Sequence, residues 1–454
     1  MAEFEIKDGV AIIPEGVTEI GNDAFHGCTS LESITIPEGV TKIGYGSFSR
    51  CTSLKSITIP KSVTKIASGF CYLSNVYNGC SQLESIVVIE GNPVYDSREC
   101  CNAIIETKTN TLIYGCKSTI IPHSVAVIND KAFENCMSIE AITIPEGVTC
   151  INGGAFEGCA SLKSVTIPES VTTIKRDAFA GCTSLKSVTI PTSVMEIGYD
   201  VFLGCTSLES IVVSEGNPVY DSRECCNAII ETKTNTLCHG CKSTIIPDSV
   251  VRIHYNAFAG CASLESIVIP KGVTEIGQHA FRGCTSLKSI AIPESVAKIE
   301  GEAFGSCTSL ESITIPESVK EIGSYAFSDC DSLKSIIIPK GVTEIGYGSF
   351  SRCTSLESIT IPEGGITKIE NWTFSGCTSL ESISIPKGVK EIGRNTFKGC
   401  KALNTITLPI GVNKIGDGTF DGCSALATIY VPAKKTDYYK KRLPKELHNK
   451  IVEL

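Results

Sequence analysis

A 23-residue pattern recurs from near the first residue to near the last, and it constrains the fold more than any other property of the chain. Cys28-Thr-Ser-Leu31-Glu-Ser-Ile34-Thr-Ile36-Pro37-Glu-Gly-Val40-Thr-Lys-Ile43-Gly44-Tyr-Gly-Ser-Phe48-Ser-Arg50 begins again at Cys51. Self-similarity at such a period marks a solenoid, in which no single coil buries its apolar face but a stack of coils does. Leu31, Ile34, Ile36, Val40, Ile43, Phe48 and Cys51 are the inward set of one coil. Ile34-Thr35-Ile36 alternates as a strand with one buried face, and Pro37 ends it because proline cannot donate to a continuing ladder. Val40 and Ile43 predict a second short extended or turn segment. Asp23 to Cys28 reads as a short helical turn on the outer side, with Phe25 pointing inward.

Departures from the period define the organisation. Residues 1–13 read as a worn first coil and N-terminal cap, 14–432 as the solenoid, and 433–454 as a helical C-terminal cap carrying Leu443, Leu447 and Ile451 at helical spacing. Extra residues between Gly69 and Tyr77 predict a bulge, and a doubled Gly364-Gly365 adds one residue. Two longer inserts share Glu-Gly-Asn-Pro-Val-Tyr-Asp-Ser-Arg-Glu-Cys-Cys-Asn, at Glu90–Asn102 and Glu215–Asn227. Each is followed by β-prone runs around Lys-Thr-Asn, which predicts hairpins at about 90–116 and 215–241. They are expected to replace the helical turn and to project from one side.

Most of the 24 cysteines fall at one repeat position, from Cys28 and Cys51 to Cys423. A small, weakly polar side chain repeated beside phenylalanine reads as packing. Others open the inserts. In an oxidising compartment Cys101 with Cys116, and Cys226 with Cys241, are candidate bridges across a hairpin base. Cys238-His239-Gly240-Cys241 has metal-ligand character, but the first insert carries Ile113 and Tyr114 instead, so no metal and no cofactor is expected. Cys71 and Cys150 fit no column.

Outward positions of the first strand hold serine and threonine in nearly constant columns. This predicts either a solvating hydroxyl face or a weak, multivalent binding face. The residue before serine alternates in charge from coil to coil: Glu32, Lys55, Glu84, Lys117, Glu140, Lys163. Neighbouring opposite charges would fix the register of near-identical coils, although copying of a two-coil unit gives the same pattern. The alternation breaks at Lys163–Lys186 and Glu357–Glu381. Those residues, with Ser164, Ser187, Thr166 and Thr189, are the candidate ligand face.

Net charge is −9 with 20% charged residues, which disfavours a nucleic-acid partner. Apolar runs such as Ile336-Ile337-Ile338 are too short to cross a membrane. The six histidines (His26, His123, His239, His254, His279, His448) sit at unrelated repeat phases and no phosphate-binding glycine loop occurs, so catalysis is not expected. Met1–Lys7 lacks the pattern of a secretory leader.

The Ile-Pro and Ala-Phe-x-x-Cys elements, over about residues 11–432, resemble the BspA-like, Treponema-type class of bacterial leucine-rich repeats. The Asn-Pro-x-Tyr insert is similar to one found in that family. The resemblance implies a curved right-handed solenoid with a parallel β-sheet on its concave side. It also implies a non-enzymatic interaction or adhesion protein at the cell surface or secreted, binding protein or glycan partners, with a monomer favoured. A structural spacer without a dedicated ligand, and a cytoplasmic location, are the alternatives. The chain departs from commoner leucine-rich repeats in holding Gly39, Ser62 or Gly147 where an Asn or Cys ladder usually stands.

Overall fold

The computed structural model describes residues 4–67, 69, 80 and 82–454. The expected bulge at Gly69–Tyr77, and Cys71, fall largely or wholly outside them. The chain divides into two compact units, Met1–Asp221 and Ser222–Leu454, each a parallel β-solenoid. In the first unit Ser33–Thr35 pairs with Ser56–Ile59 as Ser33↔Ser56, Ile34↔Ile57 and Thr35↔Thr58. The period of the sequence is therefore the register of the sheet. The second segment is a two-residue strand with its own parallel ladder, Glu19↔Lys42 and Ile20↔Ile43. Leu31, Ile34, Ile36, Val40, Ile43, Phe48 and Cys51 are all buried.

The third side of the coil is not helical, contrary to expectation. Asp23 and Gly27 have φ of 57° and 73°, and left-handed residues on both sides of Phe25 stop a right-handed helix from propagating. Amides instead alternate in direction. Asp23, Phe25 and Gly27 donate to Tyr45, Ser47 and Ser49 of the next coil at 2.8–2.9 Å, while His26 and Cys28 close turns onto Asp23 and Phe25. Packed helices stand about 8–10 Å apart, whereas strands stack at about 4.8 Å. A helix in every coil would force the strands apart on that side; hydrogen-bonded turns keep strand spacing all round.

That spacing brings the phenylalanines into stacks. Phe25 and Phe48 lie 5.3 Å apart at 6°, and in the second unit an unbroken column runs from Phe258 to Phe420 at 5.0–5.9 Å. The repeat cysteine does more than fill space beside them. Its thiol donates to the carbonyl of the preceding coil's phenylalanine: Cys51 to Phe25 at 3.1 Å, Cys182 to Phe156 at 3.2 Å, Cys330 to Phe304 at 3.2 Å. Phe25 O already accepts Cys28 N, so the sulfur takes its second lone pair. Burial pushes the Cys182, Cys307 and Cys353 thiols up to about 12, so they stay protonated donors.

The hairpins do not project. Ala103–Glu106 and Thr111–Gly115 are antiparallel, and Thr111–Gly115 then runs parallel to Val127–Ile128, with Leu112 opposite Ile128. Ile104, Ile105 and Leu112 are fully buried. The hairpin therefore occupies both the second-strand and the phenylalanine positions of its coil. A Cβ on Gly115 would lie 2.1 Å from the Phe133 ring, and Gly115 O lies 4.0 Å from Cys136 Sγ, where a phenylalanine carbonyl would stand. Gly240 repeats this in the second unit, 2.1 Å from Phe258, with Cys261 Sγ at 3.7 Å from its carbonyl. The Asn-Pro-x-Tyr element clamps the seam. Asn92 Nδ2 donates to Pro60 O and Val63 O, its Oδ1 accepts Val94 N and Tyr95 N, and Tyr95 Oη accepts Ile66 N.

At the N-terminal end Glu5–Lys7 pairs antiparallel with Val10–Ile12, which itself pairs in parallel with Ser33–Thr35 through Val10↔Ser33. Residues 433–454 are only partly helical: Thr436–Lys440 is α-helix, Lys445–Lys450 is 3₁₀, and Ile451–Glu453 adds a last parallel strand to Thr428–Val431. Pro444 explains the break. Tyr439, Leu443 and Leu447 are buried.

Charged ladders run over these coils. In the first unit Glu32–Lys55, Glu84–Lys117 and Glu140–Lys163 close at 2.6–2.8 Å. In the second unit the backbone register is kept, Glu311 N donating to Lys288 O at 2.9 Å. Among the described residues, however, Glu265, Lys288, Glu311 and Lys334 form no ion pair. There the pairs sit before the second-strand isoleucine: Arg252–Glu275, Lys298–Glu321 and Lys414–Glu391 at 2.8–2.9 Å. Cys150 belongs to this same column, between Val127 and Thr173.

Gly240→Ala is expected to destabilise the protein by about 1–3 kcal/mol through overpacking against Phe258, read from the denaturant midpoint. Folding favours the protonated ladder thiols, whose ordinary value is 9.0. Their contribution is therefore complete below about pH 9 and is lost as pH rises toward 12, which melting temperature against pH will show. Exposed Cys100 and Cys225 should be alkylated before the ladder thiols in native protein, as peptide mass mapping will read. Lys163→Glu should lower the melting temperature more than Lys288→Glu. The difference should vanish near 1 M salt, where screening acts within about 3 Å.

Candidate functional site

Alternation along the first strand puts Ile and Val inward and the residues between them in water. Lys163, Ser164, Thr166, Lys186, Ser187 and Thr189 are all exposed on strands paired as Ser164↔Ser187. Lys186 N donates to Lys163 O at 3.3 Å, so the two like charges do lie on adjacent strands. Lys163 is nonetheless neutralised from its other side by Glu140 at 2.8 Å, whose carboxyl that bond holds below its usual range. Glu357 and Glu381 are exposed and adjacent in the second unit, Glu381 N donating to Glu357 O at 3.4 Å. The structure thus brings each pair together on a hydroxyl-bearing sheet face.

The threonine column of that face is not uniformly polar. Ile245, Val268 and Ile337 stand in the threonine column of the second unit and are 73%, 82% and 72% exposed. Water contact gains these side chains none of the burial energy that isoleucine or valine usually contributes.

Cys101 and Cys116 are both buried at the hairpin base, Cys116 Sγ donating to Asn102 O at 3.3 Å and Cys101 Sγ lying 3.8 Å from Ala103 O. Cys226 and Cys241 repeat these contacts with Ala228 O and Asn227 O. Cys238 faces Thr236 O at 3.5 Å, and burial pushes its thiol up to about 12. Among the described residues no group of three His, Cys, Asp or Glu side chains converges as metal ligands would.

A second feature lies on the turn side of the second unit. Tyr325, Tyr347, Arg352 and Trp372 surround an open cleft of about 320 Å³, with Ser351 and Ser375 at its base. Tyr325 and Tyr347 meet edge to face at 5.1 Å. Arg352 is fixed by Asp329, Nε to Oδ1 at 2.9 Å, and the Lys398 ammonium sits 5.6 Å from the Trp372 ring centre. Partial burial, then a hydrogen bond with Tyr347, pushes the Tyr325 phenol above its usual value. The periodicity does not single these residues out, because they occupy outer positions that vary among coils, Tyr325 standing where other coils hold Asp, Asn, Gly, Lys, His or Glu. That variability was itself the available signal.

A family model of the BspA-type leucine-rich repeat region matches residues 9–109, 103–223, 228–357 and 343–443. Among solved structures, a leucine-rich cell surface protein from Faecalibacterium prausnitzii is 27% identical, covering 93% of this chain and 85% of its own, with a TM-score of 0.38. A leucine-rich repeat protein from Bacteroides ovatus is 24% identical over 93% and 92%, TM-score 0.39. The pneumococcal vaccine antigen PcpA is 20% identical over 99% and 94%, TM-score 0.48. No curated protein matches significantly. With the family model spanning nearly the whole repeat array, and with the inserts built into the coil as described, the chain belongs to the BspA-type leucine-rich repeat family.

Proposed function

We propose that this is a non-enzymatic interaction module of a bacterial surface, binding host or cell-surface proteins or glycans. The observation that carries the reading is the sheet face. Each unit presents several hydrogen-bonded strands whose outward side chains are exposed hydroxyls and charges, interrupted by exposed apolar residues: Val87, Ile120 and Val212 in the first unit, Ile245, Val268 and Ile337 in the second. Apolar side chains held in water within a polar field gain burial energy only when a partner covers them. Family membership and a relative described as a cell surface protein support the location.

The test is binding of the folded full chain to immobilised extracellular-matrix proteins, intact cells and a glycan array. Saturable binding to at least one is expected. Val268→Lys and Ile337→Lys are expected to weaken protein binding about tenfold each, or about 1.4 kcal/mol, with melting temperature unchanged because both side chains already face water. No saturable binding anywhere would leave the spacer reading standing.

A further inference from the structure

The turn-side cleft holds two residues that the fold itself disfavours. The position two before the repeat phenylalanine is left-handed in every described coil; Lys131, His279 and Glu302 stand there too, but nine of the other described coils fill it with aspartate, asparagine or glycine. Those residue types tolerate positive φ. Tyr325 and Trp372 adopt φ of 56° and 62° there, which is an outlier for bulky side chains. Lys131, His279 and Glu302 accept the same strain, so it counts here only together with the aromatic grouping that it builds.

The coil between them is Gly348, also left-handed at 58°. A Cβ there would lie 2.6 Å from the Tyr325 ring, so the missing side chain is what lets the tyrosine lean across. The column reads ring, gap, ring. The chain also carries an internal control. Ile43–Cys51 and Ile345–Cys353 are identical in sequence, Tyr45 matching Tyr347 and Arg50 matching Arg352. In the first copy the residue before the gap is Asp23, whose carboxylate lies 2.3 Å from where a Cβ on Gly46 would stand. The same segment has thus acquired an aromatic neighbour on each side only in its second copy.

We propose that Tyr325, Tyr347, Arg352 and Trp372 form a binding site for a pyranose sugar of a glycan. This rests on the interaction reading above and names one ligand class and one place for it. A pyranose presents a face of C–H bonds and a rim of hydroxyls. The C–H face is electropositive and lies against the negative face of an aromatic ring; Lys398 takes one face of the indole, and the sugar stacks on the other. Arg352 has five N–H donors, two of them directed at Asp329. The rest, with the Asp329 carboxylate and the two phenols, supply directional partners for ring hydroxyls. A cleft of about 320 Å³ is at the small end of ligand sites, suited to one sugar ring of a longer chain that continues into solvent.

Trp372 is the only tryptophan in the chain, so stacking on it has a private spectroscopic signal. The full chain is screened on an array of neutral and acidic oligosaccharides, and the sugars retained are titrated while tryptophan emission is followed. A saturable shift or quench is expected. Tyr325→Asn, which places at this position the residue type found at 256 and 395, should weaken binding at least tenfold while melting temperature stays equal or rises. Trp372→Asn, followed by calorimetry, should do the same. The proposal is overturned if no array sugar perturbs Trp372, or if both variants bind the retained sugar as the parent does. Binding to proteins without any such sugar sinks this site and leaves the interaction reading intact; absence of all binding removes both.

Discussion

Everything in this molecule depends on keeping one strand spacing on all three sides of the coil. The first and second strands do so by ordinary parallel pairing. The turn side does so through alternating amides, with Asp23, Phe25 and Gly27 reaching to the next coil and His26 and Cys28 turning back on their own. Once the spacing is uniform, phenylalanine rings fall at stacking distance and thiols fall beneath phenylalanine carbonyls. The left-handed residues at Asp23 and Gly27 are what make the alternation geometrically possible. Glycine or asparagine at those places follows from the backbone and not from any ligand.

The same constraint explains the inserts. A segment can enter the stack only if it returns to the spacing at both its faces. The strand Thr111–Gly115 manages this by pairing in parallel with Val127–Ile128 on one side and antiparallel with Ala103–Glu106 on the other. Gly115 and Gly240 then yield their side-chain volume to the first ring of the column that starts there. Asn92 and Tyr95 satisfy the polar groups that the interrupted second strand would leave open.

The periodicity made the inward set legible, because buried apolar positions at a fixed interval admit one arrangement. Strand register could be read for the same reason, Ser33 lying opposite Ser56 as the interval requires. Turn geometry was not legible. The stretch Asp23–Cys28 has the composition of a helical turn, and only the sign of φ at two residues, which sequence does not display, decides otherwise. The role of cysteine was half visible: its burial follows from its neighbours, but its hydrogen bond to Phe25 depends on the offset between coils. Cys150 seemed to lack a column because its column, ahead of the second isoleucine, mixes charged and polar residues. The aromatic cleft escaped because Tyr325 and Trp372 count as noise when residues are averaged by position.

The seams built around Gly115 and Gly240 carry a consequence for how such a chain can change. An ordinary coil presents the same backbone pairing surfaces as its neighbours, so a whole coil can be gained or lost without altering the backbone pairing of those that remain. A seam has unlike surfaces: antiparallel hairpin and Asn-Tyr clamp toward the N-terminal coil, bare glycine toward the first ring of the next. Its clamp takes backbone groups of the coil before it, at Pro60, Val63 and Ile66, and its glycine must precede a coil that opens with phenylalanine. The ordinary coils are interchangeable parts, while the seams are addressed ones, so the array can vary in length yet keep fixed landmarks from which a surface feature holds its place.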